Sequence, residues 1–385
     1  MSTKAPFFDH RYPVVEDLRA AARRRIPGFV FDFLDGGCND DLNLRRNVED
    51  FRDVGLLPRA LAPRGDVSLE TALFGRTWGA PFGVCPVGMQ GLVWPGACES
   101  LAAAAAARRL PFILSTTTTA DPETIGRITG GTHWFQFYVP READLREKLL
   151  ARVEASGCRT LVLLADVPAF GYRPRDIRNR FAVPPQIGVR TILQMLARPS
   201  WGLAMLRRGR PDFATIRPYM EGDLDLRQLA DFMNRTFTGR LTGDDLSRLR
   251  DRWKGDLVLK GVMTVEDAEE AASRGLDGVI VSNHGGRQLD AGPSSIGALP
   301  GIVAAVGGRM RVMLDSGVRS GPDIARALAS GASFVFLGRA FMYGAAALGD
   351  RGGEHVVEML TRQLVQVMDQ LGCDAVADLP RHLAR

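Results

Sequence analysis

From residue 80 onward the chain alternates between short apolar runs and amphipathic segments, separated by polar or glycine turns. Apolar runs bounded by such turns are typical of buried strands, and the segments between them have the length and periodicity of helices. Helix starts are marked as well, since Asp121 precedes Pro122 as an N-cap and Thr264 opens a capping sequence. The predicted strands cover residues 80–87, 111–115, 133–139, 160–166, 256–260, 278–282, 310–315 and 333–337.

Continuous apolar strands that alternate with helices imply a parallel sheet whose outer face is covered by helices. Eight consecutive strand–helix units predict an α/β protein with the (β/α)8 TIM-barrel fold, in which the active site lies at the C-terminal ends of the strands. A doubly wound open sheet is the alternative. It would require a GxGxxG loop after an early strand, and none stands there.

Two segments fall outside the repeat. Residues 1–79 include a predicted helix over about residues 15–34 and form an N-terminal helical cap, whereas residues 169–242 are a long insert after the fourth strand. An insert of this length is typical of a lid, a binding loop or an interaction element. We expect one domain over residues 1–385, with the barrel at 80–350 and a C-terminal helix and tail at 351–385.

The 385 residues are 45% hydrophobic and 24% charged, which is ordinary globular composition and excludes low-complexity disorder. The five cysteines form no CxxC pair, so we predict reduced, buried, intracellular thiols and no metal site. Residues 1–16 have no apolar signal core, and no apolar stretch reaches the ~18 residues of a spanning helix.

The formal charge of +5 comes from one segment. No acid lies between Asp176 and Asp212, and residues 189–210 mix apolar side chains with arginines. This composition suits an anionic membrane surface, and Pro199 divides the segment into pieces too short to cross a bilayer. A lid packed on the barrel is the alternative, and no nucleic-acid partner is expected because the rest of the chain is net acidic. The arginines of the acid-free segment are Arg178, Arg180, Arg190, Arg198, Arg207, Arg208 and Arg210.

The densest group of reactive side chains is the run Ser282-Asn-His-Gly-Gly-Arg-Gln-Leu-Asp290, directly after the sixth strand. His284 can exchange protons near neutral pH, and the planar guanidinium of Arg287 suits a carboxylate. A structural histidine beside a surface arginine is the alternative. The combination of these residues with two glycines at a strand end favours a functional site.

A second group follows the seventh and eighth strands, in Leu314-Asp-Ser-Gly-Val-Arg319 and Phe336-Leu-Gly-Arg339. Barrels commonly bind phosphate there with glycine N–H groups and a helix N-terminus. Asp315 could accept a hydrogen bond from a ribitol or ribose hydroxyl. A pair of ordinary barrel turns is the alternative to this predicted phosphate corner.

Together these motifs resemble the FMN-dependent L-2-hydroxy-acid dehydrogenases and oxidases, and most of all the mandelate and L-lactate dehydrogenases. The resemblance covers nearly the whole chain, and the SNHGGRQLD run is highly specific for the family. It implies FMN as cofactor and oxidation of an L-2-hydroxy acid to the 2-oxo acid. It further implies a quinone or other acceptor, a cytoplasmic homo-oligomer (commonly a homotetramer) and peripheral contact with the inner face of the cell membrane. An O2-using oxidase, a non-catalytic FMN-binding barrel and an isopentenyl-diphosphate-type isomerase are the alternatives.

The resemblance also implies residue roles. His284 would take a proton from the substrate, and Asp166 would pair with it and raise its pKa. Arg173 and Arg287 would bind the substrate carboxylate, and Tyr138 its hydroxyl. Lys260 would stabilise negative charge on the reduced flavin. The residues that would hold FMN are Pro86, Val87, Gly88, Ser115, Gln136, Lys260, Ser282, Asp315, Gly317, Arg319, Gly338 and Arg339.

Three positions bear on substrate and acceptor. Phe33 stands where the family usually has a substrate-binding tyrosine, and Leu164 stands where it has a flavin-binding threonine. We therefore expect a substrate that is larger or more apolar than glycolate, or slow turnover on the family's standard substrates. Gly88 corresponds to a position that tends to be Ala in the family's oxidases and Gly in its membrane-linked dehydrogenases, which favours a dehydrogenase.

Overall fold

The computed structural model describes residues 6–61, 65–181, 188–209, 211–220 and 239–384, together with Phe232, Thr236 and Phe237. Part of the predicted insert, including Arg210, lies outside the described residues.

Eight parallel strands form a nearly closed barrel, and from the second strand to the eighth each pairs with the strand that follows it in the sequence. The last strand pairs with the first, and a bridge between Val84 and Phe112 joins the first strand to the segment that leads into the second. Each predicted strand is present, which confirms the TIM-barrel prediction. After a hairpin of β1 (Thr71–Leu73) and β2 (Arg76–Trp78), the barrel strands are β3 (Phe82–Val84), β4 (Ile113–Ser115), β5 (Trp134–Phe137), β6 (Thr160–Leu164), β7 (Asp256–Val262), β8 (Gly278–Val281), β9 (Arg311–Leu314) and β10 (Phe334–Leu337).

Helices cover the outside of the barrel, and several begin at the predicted caps. Asp121 accepts a hydrogen bond from the Thr124 N–H, and Thr264 accepts one from the Asp267 N–H. The described helices are α1 (Val15–Arg25), α2 (Gly28–Asp35), α3 (Leu42–Glu49), α4 (Gln90–Val93), α5 (Ala97–Ala107), α6 (Pro122–Thr129), α7 (Ala143–Ala155), α8 (Pro174–Arg178), α9 (Val189–Leu196), α10 (Pro199–Arg208), α11 (Gly243–Arg252), α12 (Val265–Ser273), α13 (Ser295–Val306), α14 (Gly321–Ala329), α15 (Arg339–Leu348) and α16 (Gly352–Leu371).

The N-terminal cap differs from the prediction in one respect. The single helix expected over about residues 15–34 is divided into α1 and α2 at Ile26 and Pro27. The ring of Pro27 disfavours helical backbone at the preceding residue, and Ile26 is accordingly extended with φ −105° and ψ 158°. The break turns α2 toward the barrel mouth, where Phe33 lines the central cavity.

The inside of the barrel is a packed apolar layer. The hairpin lies at the strand starts, where the Phe74 ring centroid is 5.5 Å from that of Trp134 at the beginning of β5. Side chains alternate between the two faces of a strand, so the residue two positions further on points inward again, nearer the barrel mouth. The layer comprises Ile113, Trp134, Val162, Val258, Ile280, Met313 and Phe334. The matching positions nearer the mouth are Ser115, Gln136, Leu164, Lys260, Ser282, Asp315 and Phe336.

The described part of the insert is held against the cap and the first barrel loop. The Trp201 Nε1–H donates to Leu92 O at 3.0 Å, and Gln194 Oε1 accepts from the Phe29 N–H at 2.8 Å. Other side chains of α9 and α10 point outward, and Leu193, Leu196 and Leu206 are 60%, 72% and 84% exposed. These helices are therefore docked on one side and present apolar side chains on the other.

Candidate active site

One cavity opens at the C-terminal ends of the barrel strands and collects nearly all the predicted site residues. Asp166 and Ser282 lie directly behind its wall, where they contact His284 and Lys260. The predicted residues that line it are Phe33, Pro86, Val87, Gly88, Ser115, Gln136, Tyr138, Arg173, Lys260, His284, Arg287, Asp315, Gly317, Arg319, Gly338 and Arg339.

His284 and Asp166 form a pair across the ends of β8 and β6, with His284 Nδ1 3.1 Å from Asp166 Oδ1. The backbone of His284 is left-handed, with φ +58°, and its N–H donates to Ser282 Oγ at 3.2 Å. Left-handed backbone is costly for a residue with a side chain, and such strain is common at functional sites. It is maintained here by the hydrogen bond to Ser282.

The pKa of His284 is set by two opposing effects, and the expected upward effect of Asp166 is the smaller one. Burial lowers the pKa of the imidazole, and the carboxylate of Asp166 offsets this only in part. The sequence shows the carboxylate neighbour, but the desolvation depends on the whole surrounding shell. His284 is therefore neutral near pH 7.

Arg173 and Arg287 place two guanidinium groups at one side of the cavity. Arg287 donates to Phe33 O at 2.8 Å and to Gly36 O at 2.7 Å. Burial, followed by the nearby charge of Arg173, lowers the pKa of Arg287. Arg173 Nε is buried without a hydrogen-bond partner among the described residues. Two crowded cations with an unpaired buried donor are suited to an anionic ligand such as a carboxylate.

The rest of the substrate region is apolar and aromatic. Phe33 stacks under Arg287, with the guanidinium carbon 5.3 Å from the ring centroid. Leu164 completes this surface at the end of β6 together with Met89, Phe170 and Phe213, which the sequence patterns do not single out. Phe170 and Phe213 belong to the insert, where no periodic pattern marks residues that the tertiary fold brings to the barrel mouth.

A buried ion pair forms the floor of the cavity. Lys260 Nζ lies 3.0 Å from Asp315 Oδ2 and donates to Ser282 Oγ at 2.8 Å. Burial disfavours the ammonium, but Asp315 and Asp166 outweigh it and raise the pKa of Lys260. Two residues that sequence reasoning missed complete the group, since Cys85 Sγ and Ser316 Oγ donate to the two oxygens of Asp315 at 3.1 and 2.8 Å. A charged lysine is thus fixed beneath the cavity.

The residues present fit a flavin mononucleotide. Ser115 Oγ donates to Gln136 Oε1 at 2.8 Å, which orients the amide, while Gln136 Nε2 is buried with no partner in the described part of the chain. A buried unpaired N–H costs roughly 1–3 kcal/mol, and a carbonyl or ring nitrogen of a flavin beside Lys260 would satisfy it.

The far end of the same cavity fits a phosphate. Arg319 and Arg339 line it, and the first turn of α15 has no acidic residue and no side-chain cap. A helix N-terminus with free N–H groups is suited to a phosphate. Three of the donors of Arg339 are engaged by Leu34 O, Gly36 O and Gly285 O, which also connects this end of the cavity to the cap.

Comparison with known proteins agrees with this geometry. A family model described as FMN-dependent dehydrogenase matches residues 22–385. The L-lactate dehydrogenase of Vibrio cholerae serotype O1 is 36% identical over 366 residues, which cover 95% of this chain and 97% of that relative. The crystal structure of the monotopic membrane protein (S)-mandelate dehydrogenase is 35% identical with a TM-score of 0.92, and the match covers 97% of this chain and 100% of that one. A mandelate oxidase structure with benzoyl-formic acid is 33% identical with a TM-score of 0.82, covering 97% and 98%. The chain belongs to the FMN-dependent dehydrogenase family, which confirms both the resemblance drawn from its motifs and FMN as its cofactor.

Proposed function

We propose that this protein oxidises an L-2-hydroxy acid to the corresponding 2-oxo acid and passes the electrons from FMN to a quinone or another acceptor. The observation that carries the proposal is that the His284–Asp166 pair, the two arginines and the buried Lys260 all meet at one cavity. A base, a carboxylate site and a fixed cation beside the flavin region are the groups that this reaction requires.

The residues that line the cavity have separate roles in binding the substrate and FMN. Arg173 and Arg287 bind the substrate carboxylate, and Tyr138 donates a hydrogen bond to the substrate hydroxyl. Burial raises the pKa of Tyr138 to about 12, so the phenol keeps its proton as a donor. When bound, FMN supplies an acceptor for the two electrons that leave the α-carbon, and Ser115, Gln136, Lys260 and the phosphate corner would hold it.

His284 accepts one substrate proton, from the α-carbon or from the hydroxyl. Asp166 accepts the Nδ1–H, which leaves Nε2 as the free base. Asp166 Oδ2 is buried without a hydrogen-bond partner among the described residues. That oxygen is available to stabilise the imidazolium that forms when His284 takes up the proton.

The direct test is anaerobic reduction of the purified yellow protein with a panel of L-2-hydroxy acids, using the D-enantiomers as controls. We expect the flavin band to bleach with the L-acids only. Aromatic acids should give a higher kcat/KM than small aliphatic acids, because the substrate region is lined by apolar side chains. These are Phe33, Met89, Leu164, Phe170 and Phe213. Failure of every L-acid would contradict the proposal, and fast glycolate turnover with little aromatic activity would contradict the substrate class.

Gly88 bears on the electron acceptor. A Cβ atom at this position would lie 2.5 Å from Thr117 Oγ1. An alanine would therefore displace the side chain of Thr117, which lines the same cavity as Gly88. In the anaerobically reduced protein, we expect a soluble quinone analogue to reoxidise the flavin much faster than air does. Reoxidation by air within milliseconds would instead favour the alternative, an O2-using oxidase.

The exposed side of α9 and α10 supports peripheral binding to an anionic membrane. Its apolar residues are flanked by Arg190 and Arg207, whereas Arg208 is paired with Asp350 at 3.2 Å. None of the helices within the described residues has the length and apolar character needed to span a bilayer. The (S)-mandelate dehydrogenase named above is described as monotopic, and we infer the same mode of attachment here. From the family resemblance we also infer that the protein lies on the cytoplasmic face of the cell membrane and is a homo-oligomer.

Polar replacement of Leu193, Leu196 and Leu206 by Gln should release the protein from anionic vesicles. Burying each leucine contributes roughly 1.5–3 kcal/mol, so we expect at least about a tenfold loss in co-sedimentation with full activity in solution. Substitution is preferable to deletion of residues 189–210, because Trp201 and Gln194 dock the helices on the fold. Replacing exposed Leu57 and Leu61 by Gln is the matched control, and unchanged vesicle binding of the triple variant would refute the attachment.

A further inference from the structure

The segment Ser282–Asp290, which follows β8, ends in three residues to which the proposed reaction assigns no role. One of them, Gln288, reaches the loop after β6 and makes three hydrogen bonds there. Its Nε2 donates to Asp166 O and to Ala169 O, both at 2.9 Å, and its Oε1 accepts from the Gly171 N–H at 3.2 Å. One side chain therefore holds three backbone groups of a neighbouring loop.

The chemistry of the amide matches this environment. Two N–H donors face two carbonyl oxygens, and the single carbonyl faces the single N–H. The two loops also approach closely, since a Cβ atom at Gly171 would overlap the backbone carbonyl of Arg287. A glutamate at position 288 would keep the acceptor but present oxygen to Asp166 O and Ala169 O, and a methionine would have similar length without either group.

The loops joined in this way carry the two functional pairs. Asp166 and Arg173 belong to the loop after β6, whereas His284 and Arg287 belong to the loop after β8. Each pair, base with carboxylate and arginine with arginine, is thus split between the loops. A shift of one loop against the other would change both pairs together.

The end of the segment 282–290 is attached to the N-terminal cap. Asp290 accepts hydrogen bonds from the Asp40 N–H and the Asn43 N–H, both at 3.0 Å, at the start of α3. The loop after β8 is therefore fixed independently of Gln288. The later part of the loop after β6 is also attached to the cap, since Tyr172 O accepts a hydrogen bond from the Asn39 N–H at 2.9 Å. The amide therefore fixes the first part of that loop, residues 166–171.

We propose that Gln288 is a positioning residue that fixes the loop after β6 and thereby holds Asp166 against His284 and Arg173 beside Arg287. The kinetic part of this inference rests on the proposed function, whereas the fixation of the loop does not. Because Asp166 offsets part of the effect of burial on His284, loosening it should also weaken the proton affinity of the imidazole.

The test compares Gln288→Met and Gln288→Glu with the wild-type holoprotein by hydrogen–deuterium exchange over residues 166–173. We expect exchange of the Gly171 amide to rise about tenfold or more in Gln288→Met, which lacks its acceptor. Gln288→Glu keeps that acceptor but repels the two carbonyls, so exchange should rise less there. In Gln288→Met, kcat/KM should fall about 10- to 100-fold with a raised KM. The acid limb of its pH profile should move to lower pH, a change that a general loss of stability would not produce.

Leu289→Ala is the matched control, since this neighbouring side chain is 64% exposed. It should leave exchange, KM and the pH profile unchanged. If Gln288→Met does not fold, Gln288→Asn tests the same point, because it keeps the amide but is one methylene too short to reach all three partners.

Unchanged exchange over residues 166–173 in folded variants would overturn the proposal. Increased exchange with wild-type kcat/KM and pH profile would show that the loop is fixed but not for catalysis, which overturns the positioning role. A wild-type protein that no hydroxy acid reduces would count against the proposed function alone, and the exchange experiment would still decide whether Gln288 fixes the loop.

Discussion

Replacing His284 by asparagine is expected to lower the rate of anaerobic flavin reduction by roughly 10²–10⁴-fold, the usual contribution of a positioned general base. Asparagine is the suitable substitute because it tolerates left-handed backbone better than most residues, and His284 has φ +58°. FMN content and thermal stability should stay close to those of the wild type. Stopped-flow absorbance with a saturating L-2-hydroxy acid measures the effect.

The pH profile provides the second part of this test. The lowered pKa of His284 keeps the imidazole deprotonated below its ordinary value of 6.5, so wild-type kcat/KM should persist below that pH. It should fall only at lower pH, where protonation removes the base. The residual activity of His284→Asn should lack this limb. A variant that keeps more than a tenth of the wild-type rate would exclude His284 as the base.

Replacing Arg287 by methionine should lower kcat/KM, mainly through a raised KM. Removing one partner of a buried charge pair costs on the order of 2–5 kcal/mol. This corresponds to roughly 30- to 5000-fold in kcat/KM. Arg287→Lys should recover only part of the loss, because an ammonium cannot donate in a planar fork to the substrate while also bonding Phe33 O and Gly36 O.

The amide of the hydroxy acid, used as a substrate analogue, distinguishes two roles of Arg287: binding the substrate carboxylate and holding the N-terminal cap. The wild type should strongly prefer the hydroxy acid to its amide, whereas Arg287→Met should treat the two more alike. Arg311→Lys is the control, because Arg311 is exposed at the start of β9. If Arg287→Met loses activity but keeps the full preference for the acid, its role is to hold the cap and not to bind the carboxylate.

The barrel and the position of its site are predictable from the sequence because both follow from local patterns. Apolar runs mark the strands, and the ends of parallel strands meet at one mouth. A polar residue that ends an apolar run, such as Lys260, is therefore assigned to the site by the pattern alone. His284 is placed by the same argument. These predictions need only the direction of each strand and the period of its side chains.

What the sequence does not predict depends on contacts between distant segments. Phe170 and Phe213 reach the cavity from an insert without periodicity. Cys85 and Ser316 are recognisable only once their hydrogen bonds to Asp315 are seen. The net pKa shift of His284 is of the same kind, since it balances one visible carboxylate against desolvation by the whole surrounding fold.

The apolar layer at the strand starts has a consequence for the order in which hydroxy acid and electron acceptor bind. Its seven inward side chains are at most 2% exposed, so within the described residues they separate the hairpin from the cavity above. Within the described residues, hydroxy acid and electron acceptor must then both approach from the barrel mouth, so we expect them to alternate there, one leaving before the other arrives. Steady-state reciprocal plots at several fixed acceptor concentrations should therefore be parallel lines, and lines that cross would mean that both molecules occupy the protein at once.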